Sequence, residues 1–138
     1  MASYVSIIED STQGRLLLGS LLSAGHYKVE TVSLEDCPSA RSNVAPNLII
    51  VGPSFAEPEK VLEMISRSGL SAGVPVLVLA RFLDAAKRLK LILKGAREVL
   101  EYPLTDSLLL ARIRTLLREA DAFKEIRRRR SQLDLINL

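Results

Sequence analysis

The chain has 138 residues, enough for one domain with a real core. Its 48% hydrophobic and 25% charged content is that of a folded globular protein, with a core built from aliphatic residues because aromatics are only 4% and Trp is absent. One cysteine, Cys37, excludes an internal disulfide or a cysteine-rich metal site and fits a reducing cytoplasm; no apolar run reaches the ~20 residues of a membrane span, and nothing at the N-terminus reads as a signal peptide. The net charge of +3 is uneven. Residues 1–120 carry 14 basic and 13 acidic side chains, whereas residues 121–138 carry 5 and 3, with Arg127–Arg130 in one run.

Tyr4–Ile8 is short, apolar and β-branched, and reads as a buried strand. Ser11 or Thr12 caps a helix to about Ala24, and Gly25 stops it. Lys28–Val32 is a second strand. Ser33–Asp36 opens a short segment that Pro38 makes irregular. Leu48–Val51 is a third strand, closed by Gly52-Pro53. Pro58 starts a helix whose apolar face is Val61, Leu62 and Ile65. Val76–Ala80 is a fourth strand. Asp84 caps a helix through Lys94, and Gly95 ends it. Glu98–Glu101 is a fifth strand, and Asp106 caps a last helix after Pro103.

Strands and helices thus alternate five times. Strands that are apolar throughout, not every second residue, need both sheet faces covered. The fold class expected is α/β: a doubly wound, five-stranded parallel sheet with an extended C-terminal helix. Function in such sheets gathers at the carboxyl ends of the strands. Glu9 and Asp10 stand there after the first strand, Gly52 after the third, Ala80 at the end of the fourth and Tyr102-Pro103 after the fifth.

Four blocks in order carry a resemblance: Val5-Ser6-Ile7-Ile8-Glu9-Asp10-Ser11, Pro46–Gly52, Pro75–Arg81 and Gly95–Leu104. Over residues 4–120 the chain resembles the receiver (CheY-like) domain of two-component response regulators. The resemblance implies a receiver-like domain at 1–120 and a basic helical tail or linker to an output domain at 121–138. It implies an acidic pair for Mg²⁺, matched by Glu9 and Asp10, and a phosphoacceptor aspartate where Gly52 stands. It implies a hydroxyl where Ala80 stands, a lysine where Tyr102 stands and a switch aromatic where Val99 stands.

The replacements remove the chemistry. Glycine offers no nucleophile, alanine no hydroxyl, and tyrosine no ammonium for a phosphate. The expectation is a degenerate, phosphorylation-independent pseudo-receiver with no enzymatic activity and no cofactor. Glu9 and Asp10 have two open readings: a vestigial Mg²⁺ site, or a solvated strand end with Asp10 capping the first helix. Tyr102 reads as a lid over the space above Gly52 and Ala80. Ser11, Ser54 and Thr105 are not placed with a base, and His26 and Cys37 lack catalytic or metal partners.

Leu109, Ile113, Leu116, Ala120 and Phe123 form one helical stripe. Past Ala120 it outruns a receiver-sized sheet, so Phe123, Ile126, Leu133, Leu135 and Ile136 are expected to be exposed and to seek a partner. The resemblance implies a partner face on the last two helices and last strand. It would present Lys87, Lys90, Lys94, Arg97, Glu101, Arg112, Arg114 and Arg118, a basic surface. The leading function is therefore a protein-protein interaction or homodimerisation module in two-component-type signal transduction. One alternative is regulation by a non-covalent metal or small ligand at the acidic pair. Another is nucleic-acid binding through Arg127–Arg130, against which stands the lack of any helix-turn-helix, zinc or aromatic platform.

Overall fold

A computed structural model describes residues 3–37 and 45–136, with side chains to Leu133. Five strands, β1 (Tyr4–Ile8), β2 (Lys28–Val32), β3 (Leu48–Val51), β4 (Val76–Ala80) and β5 (Glu98–Glu101), form one parallel sheet in the order β2-β1-β3-β4-β5. Four helices complete it: α1 (Thr12–Ala24), α2 (Pro58–Ser68), α3 (Ala85–Leu93) and α4 (Asp106–Ile136). The order reverses between β1 and β3, so the strand ends there open a crevice.

The five strands have the expected bounds: β1, β3 and β4 are mostly apolar runs, while the edge strands β2 and β5 mix apolar with charged residues. Side chains alternate across the sheet. Ile8, Ile49, Val51, Val76, Val78 and Val99 face α2 and α3, where Val61, Ile65 and Leu91 meet them. Val5, Ile7, Leu48, Ile50, Leu77 and Leu79 face the other side, against Leu18 and Leu22 of α1 and Leu109, Ile113 and Leu116 of α4.

Two local expectations need correction, and one open reading closes. The crossover from β2 to β3 has no α-helix among its described residues, only a turn at 34–37 that buries Cys37; Pro38 lies outside the described residues. The cap of α4 is Thr105, whose hydroxyl accepts from the Leu108 N–H at 3.3 Å, and Asp106 is the first helical residue. Ser11 caps α1 as expected, accepting from the Gly14 N–H at 3.1 Å, and the other reading, an Asp10 cap, falls.

The last helix is 31 residues long. Its first half packs on the sheet; the second passes the amino ends of the strands. Residues 121–136 overhang by about 24 Å at 1.5 Å per residue. Phe123 (61% exposed), Ile126 and Leu133 are bare on it, as expected. The side chains of Leu135 and Ile136 lie outside the described residues. No helix among the described residues is long and apolar enough to cross a membrane.

Candidate functional site

The ends of β1, β3 and β4 bring Glu9, Gly52 and Ala80 together, and the surprise there is Glu9. Its backbone N–H donates to the Val32 carbonyl at 2.9 Å, carrying the β1–β2 ladder one residue further. This aims its side chain inward, and Glu9 is 0% exposed. The carboxyl group lies directly over Gly52. A Cβ added at Gly52 would sit 2.2 Å from Glu9 Oε2, 2.6 Å from Cδ and 2.9 Å from Cβ. A Cβ at Gly14, in the first turn of α1, would sit 3.0 Å from Glu9 Cγ and Oε2. Two glycines 38 positions apart thus leave the room that one glutamate fills.

The buried carboxyl is partly satisfied. Ser54 donates its hydroxyl to Glu9 Oε1, and the Ser11 N–H approaches the same oxygen at 3.4 Å. Oε2 has no hydrogen-bond partner among the described residues. Ser54 therefore does meet an acidic group, contrary to the sequence reading, through a contact 45 residues apart in the chain. Arg15 holds the β1–α1 turn: its guanidinium donates to the carbonyls of Glu9 at 2.6 Å and Asp10 at 3.1 Å.

Asp10 is exposed and turned elsewhere, its Oδ1 accepting from the Leu34 N–H at 2.8 Å. The acidic pair thus diverges, one carboxyl inward and one toward the β2–β3 turn. Mg²⁺ takes near-octahedral oxygens and holds several waters. A buried carboxyl packed over a glycine and a carboxylate already used by a backbone N–H do not fit it, and among the described residues no group of three His, Cys, Asp or Glu is clustered for a metal.

Gly52 and Ala80 are both buried at the strand ends, with no hydroxyl or carboxyl of their own. Tyr102 is not the lid over Gly52. Its ring packs with Leu100 and Leu104 on the α1/α4 core, and the Arg81 guanidinium covers it at 5.1 Å from the centroid. The Tyr102-Pro103 peptide is cis.

The expected basic face is also rearranged. Lys90 and Lys94, one turn apart on α3, meet Glu59 and Glu63, one turn apart on α2, at 3.8 and 2.7 Å. Arg97 pairs with Glu119 at 3.0 Å, and Arg112 pairs with Glu98. Lys87 donates to the Arg81 carbonyl at 3.1 Å. The Lys94 hydrogen bond and charge hold the Glu63 carboxyl below its usual range. These pairs leave Glu101, Arg114 and Arg118 exposed and neutralise much of the rest. Beside these charges the β4–α3 turn and α3 expose apolar side chains: Phe82 (90% exposed, φ 53°) in the turn, and Leu89 and Leu93 (77%) on the helix. An aromatic residue at positive φ with no burial to hold it is rare.

No protein-family model and no curated protein matches the sequence. Solved structures do match. A CheY-like response regulator receiver domain protein from Methanospirillum hungatei is 19% identical with a TM-score of 0.73, over 88% of this chain and 98% of its own. NtrX from Brucella abortus, in a complex with ADP, is 19% identical with a TM-score of 0.80; the match covers 94% of this chain but 29% of NtrX. A fusion carrying the trimeric coiled-coil segment of yeast Spc42 is 19% identical with a TM-score of 0.70, over 100% of this chain and 98% of its own. With its 2-1-3-4-5 parallel sheet and covering helices, the chain has the receiver fold of CheY-like response-regulator domains.

Proposed function

We propose that the chain is a phosphorylation-independent pseudo-receiver, a non-catalytic contact module of two-component-type signalling that self-associates through α4. The observation that carries this is the seat of Glu9. The space in which a phosphoacceptor side chain would stand is filled by the Glu9 carboxyl, and Gly52 supplies no nucleophile to it. A phosphoryl group would also find no hydroxyl at Ala80 and no ammonium from position 102, where the Tyr102 ring is turned to the α1/α4 core. With no switch at the strand ends, contact surfaces are what the chain has to offer.

The overhang supports self-association. Phe123, Ile126, Arg130 and Leu133 follow at steps of three, four and three, the spacing of a coiled-coil seam. Phe123, Ile126 and Leu133 are bare in the single chain. The similarity over the full length to a chain carrying a coiled coil agrees with a helix used in this way.

Two measurements test the proposal. Incubation with acetyl phosphate and Mg²⁺ leaves the intact mass unchanged; a gain of one phosphoryl group refutes phosphorylation independence. Light scattering across concentration gives a dimer or higher oligomer for the full chain and a monomer for the Ile126→Asp, Leu133→Asp variant. A monomeric parent chain at every concentration refutes self-association.

A further inference from the structure

At the end of the sheet opposite Gly52, the overhang of α4 roofs a groove of about 990 Å³. Its floor is the α2–β4 and α3–β5 loops, with small or flat residues such as Gly73, Val74, Pro75 and Ala96. Ile92 of α3 forms one wall and Phe123 the other, and both are exposed. The roof from Leu116 to Arg127 is about 16 Å long, three helical turns.

Charge around the groove is one-sided. Of the cations that line it, Arg97 is spent on Glu119. Lys124 and Arg127 have no carboxylate partner among the described residues, and the Arg127 guanidinium lies over the Phe123 ring at 5.7 Å. Their neighbours Arg128 and Arg129 are both paired with Glu125, at 2.6 and 3.1 Å. Lys124 and Arg127 therefore set unmatched positive charge beside the apolar wall, while Arg130, also without a carboxylate partner among the described residues, does not line the groove.

We infer that this groove is a docking site for an acidic amphipathic helix of a partner protein. An apolar anchor of that helix sits between Ile92 and Phe123 over the small floor, and its carboxylates reach Lys124 and Arg127. The groove is walled by side chains of two helices, so recognition runs through side chains at helical spacing. The charge match adds encounter rate and rejects basic partners. The inference rests on reading the chain as a contact module; of the self-association seam, Phe123 also lines the groove whereas Ile126 and Leu133 do not, so substitutions at those two test self-association apart from the groove.

The probe is a fluorescein-labelled helical peptide with leucines at i, i+3, i+4 and i+7 and glutamates elsewhere, together with a counterpart whose glutamates are lysines. Fluorescence anisotropy with the full chain gives saturable binding of the acidic peptide, at least about tenfold tighter than the basic one. Lys124→Glu with Arg127→Glu weakens it about tenfold, and so does Ile92→Glu, which alters the far wall and leaves α4 intact. Arg128→Glu with Arg129→Glu changes it less than about twofold. Circular dichroism confirms that each variant is folded; the two charge-reversal pairs lie on an exposed helix, so they test the site even if Ile92→Glu unfolds the chain. No saturable binding of the acidic peptide overturns the inference. So does an equal loss in the Arg128, Arg129 pair, which would assign the effect to the basic tail at large. A dimer that Ile92→Glu converts to monomer would give the groove to a second copy and overturn it as well.

Discussion

Gly52→Ala is the sharpest probe of the strand-end site. The new Cβ would fall 2.2 Å from Glu9 Oε2, 2.6 Å from Cδ and 2.9 Å from Cβ. The first atom is at the tip of a flexible side chain, but the last is tied to the end of β1. Either the backbones part, at an overpacking cost of about 1–3 kcal/mol, or Glu9 swings out. Swinging out forfeits the hydrogen bonds from Ser54 and the Ser11 N–H, each worth about 0.5–1.5 kcal/mol, so the cost is similar. At about 4 °C per kcal/mol for a chain of this length, the melting temperature falls by roughly 4–12 °C. Glu9→Ala removes the two shortest contacts and leaves only the one to Cβ, so it should relieve most of the strain. A double-mutant cycle of Glu9→Ala and Gly52→Ala, read by urea or thermal unfolding, should show a favourable coupling of at least about 1 kcal/mol. Additive effects within about 0.3 kcal/mol, or a Gly52→Ala variant as stable as the parent, would show that Glu9 does not occupy this space.

Other outcomes follow from the same geometry. Ser54→Ala leaves Glu9 without its hydroxyl donor in a buried site and should cost about 1–3 kcal/mol in chemical denaturation; an unchanged midpoint would remove Ser54 from the site. Gly52→Asp should remain unphosphorylated by acetyl phosphate, because the new carboxyl meets Glu9 and lacks a hydroxyl at Ala80; a covalent adduct in the intact mass would contradict this. The Glu63 carboxyl is held low by Lys94, so its contribution to the α2–α3 contact is present above the ordinary carboxylate range. As pH falls through the lowered value that contribution is lost, and hydrogen exchange in α3 should rise in acid ahead of exchange in the central strands; a uniform rise would refute it. Burial, followed by the charge of Glu30, pushes the Cys37 thiol up, so iodoacetamide should label it at neutral pH only when denaturant is added. Rapid labelling of the native chain would place Cys37 at the surface.

The sheet was legible because its signals are local. The central strands are brief apolar runs such as Leu48–Val51, and Gly52-Pro53 after β3 and Pro103 after β5 are breaks that the backbone itself enforces. The overhang was legible for the same reason, since its apolar stripe and the length of the sheet-covering part are counted along one helix. The crossover after β2 was not, because Ser33–Cys37 carries no periodic apolar face and its turn is held by contacts such as that of Leu34 with Asp10.

Sequence by itself determined the five strands and their enclosure on both faces, and it placed no carboxyl, aliphatic hydroxyl or ammonium at Gly52, Ala80 and Tyr102. The destinations of the side chains were decided only by the tertiary structure. Glu9 turned inward because Gly14 and Gly52, far apart in the chain, both leave it room. Lys90 and Lys94 turned to Glu59 and Glu63 because α3 lies beside α2, and Tyr102 joined the α1/α4 core instead of covering Gly52. Backbone periodicity is a property of neighbours along the chain, whereas the space into which a long side chain turns is set by whichever residues folding brings to face it.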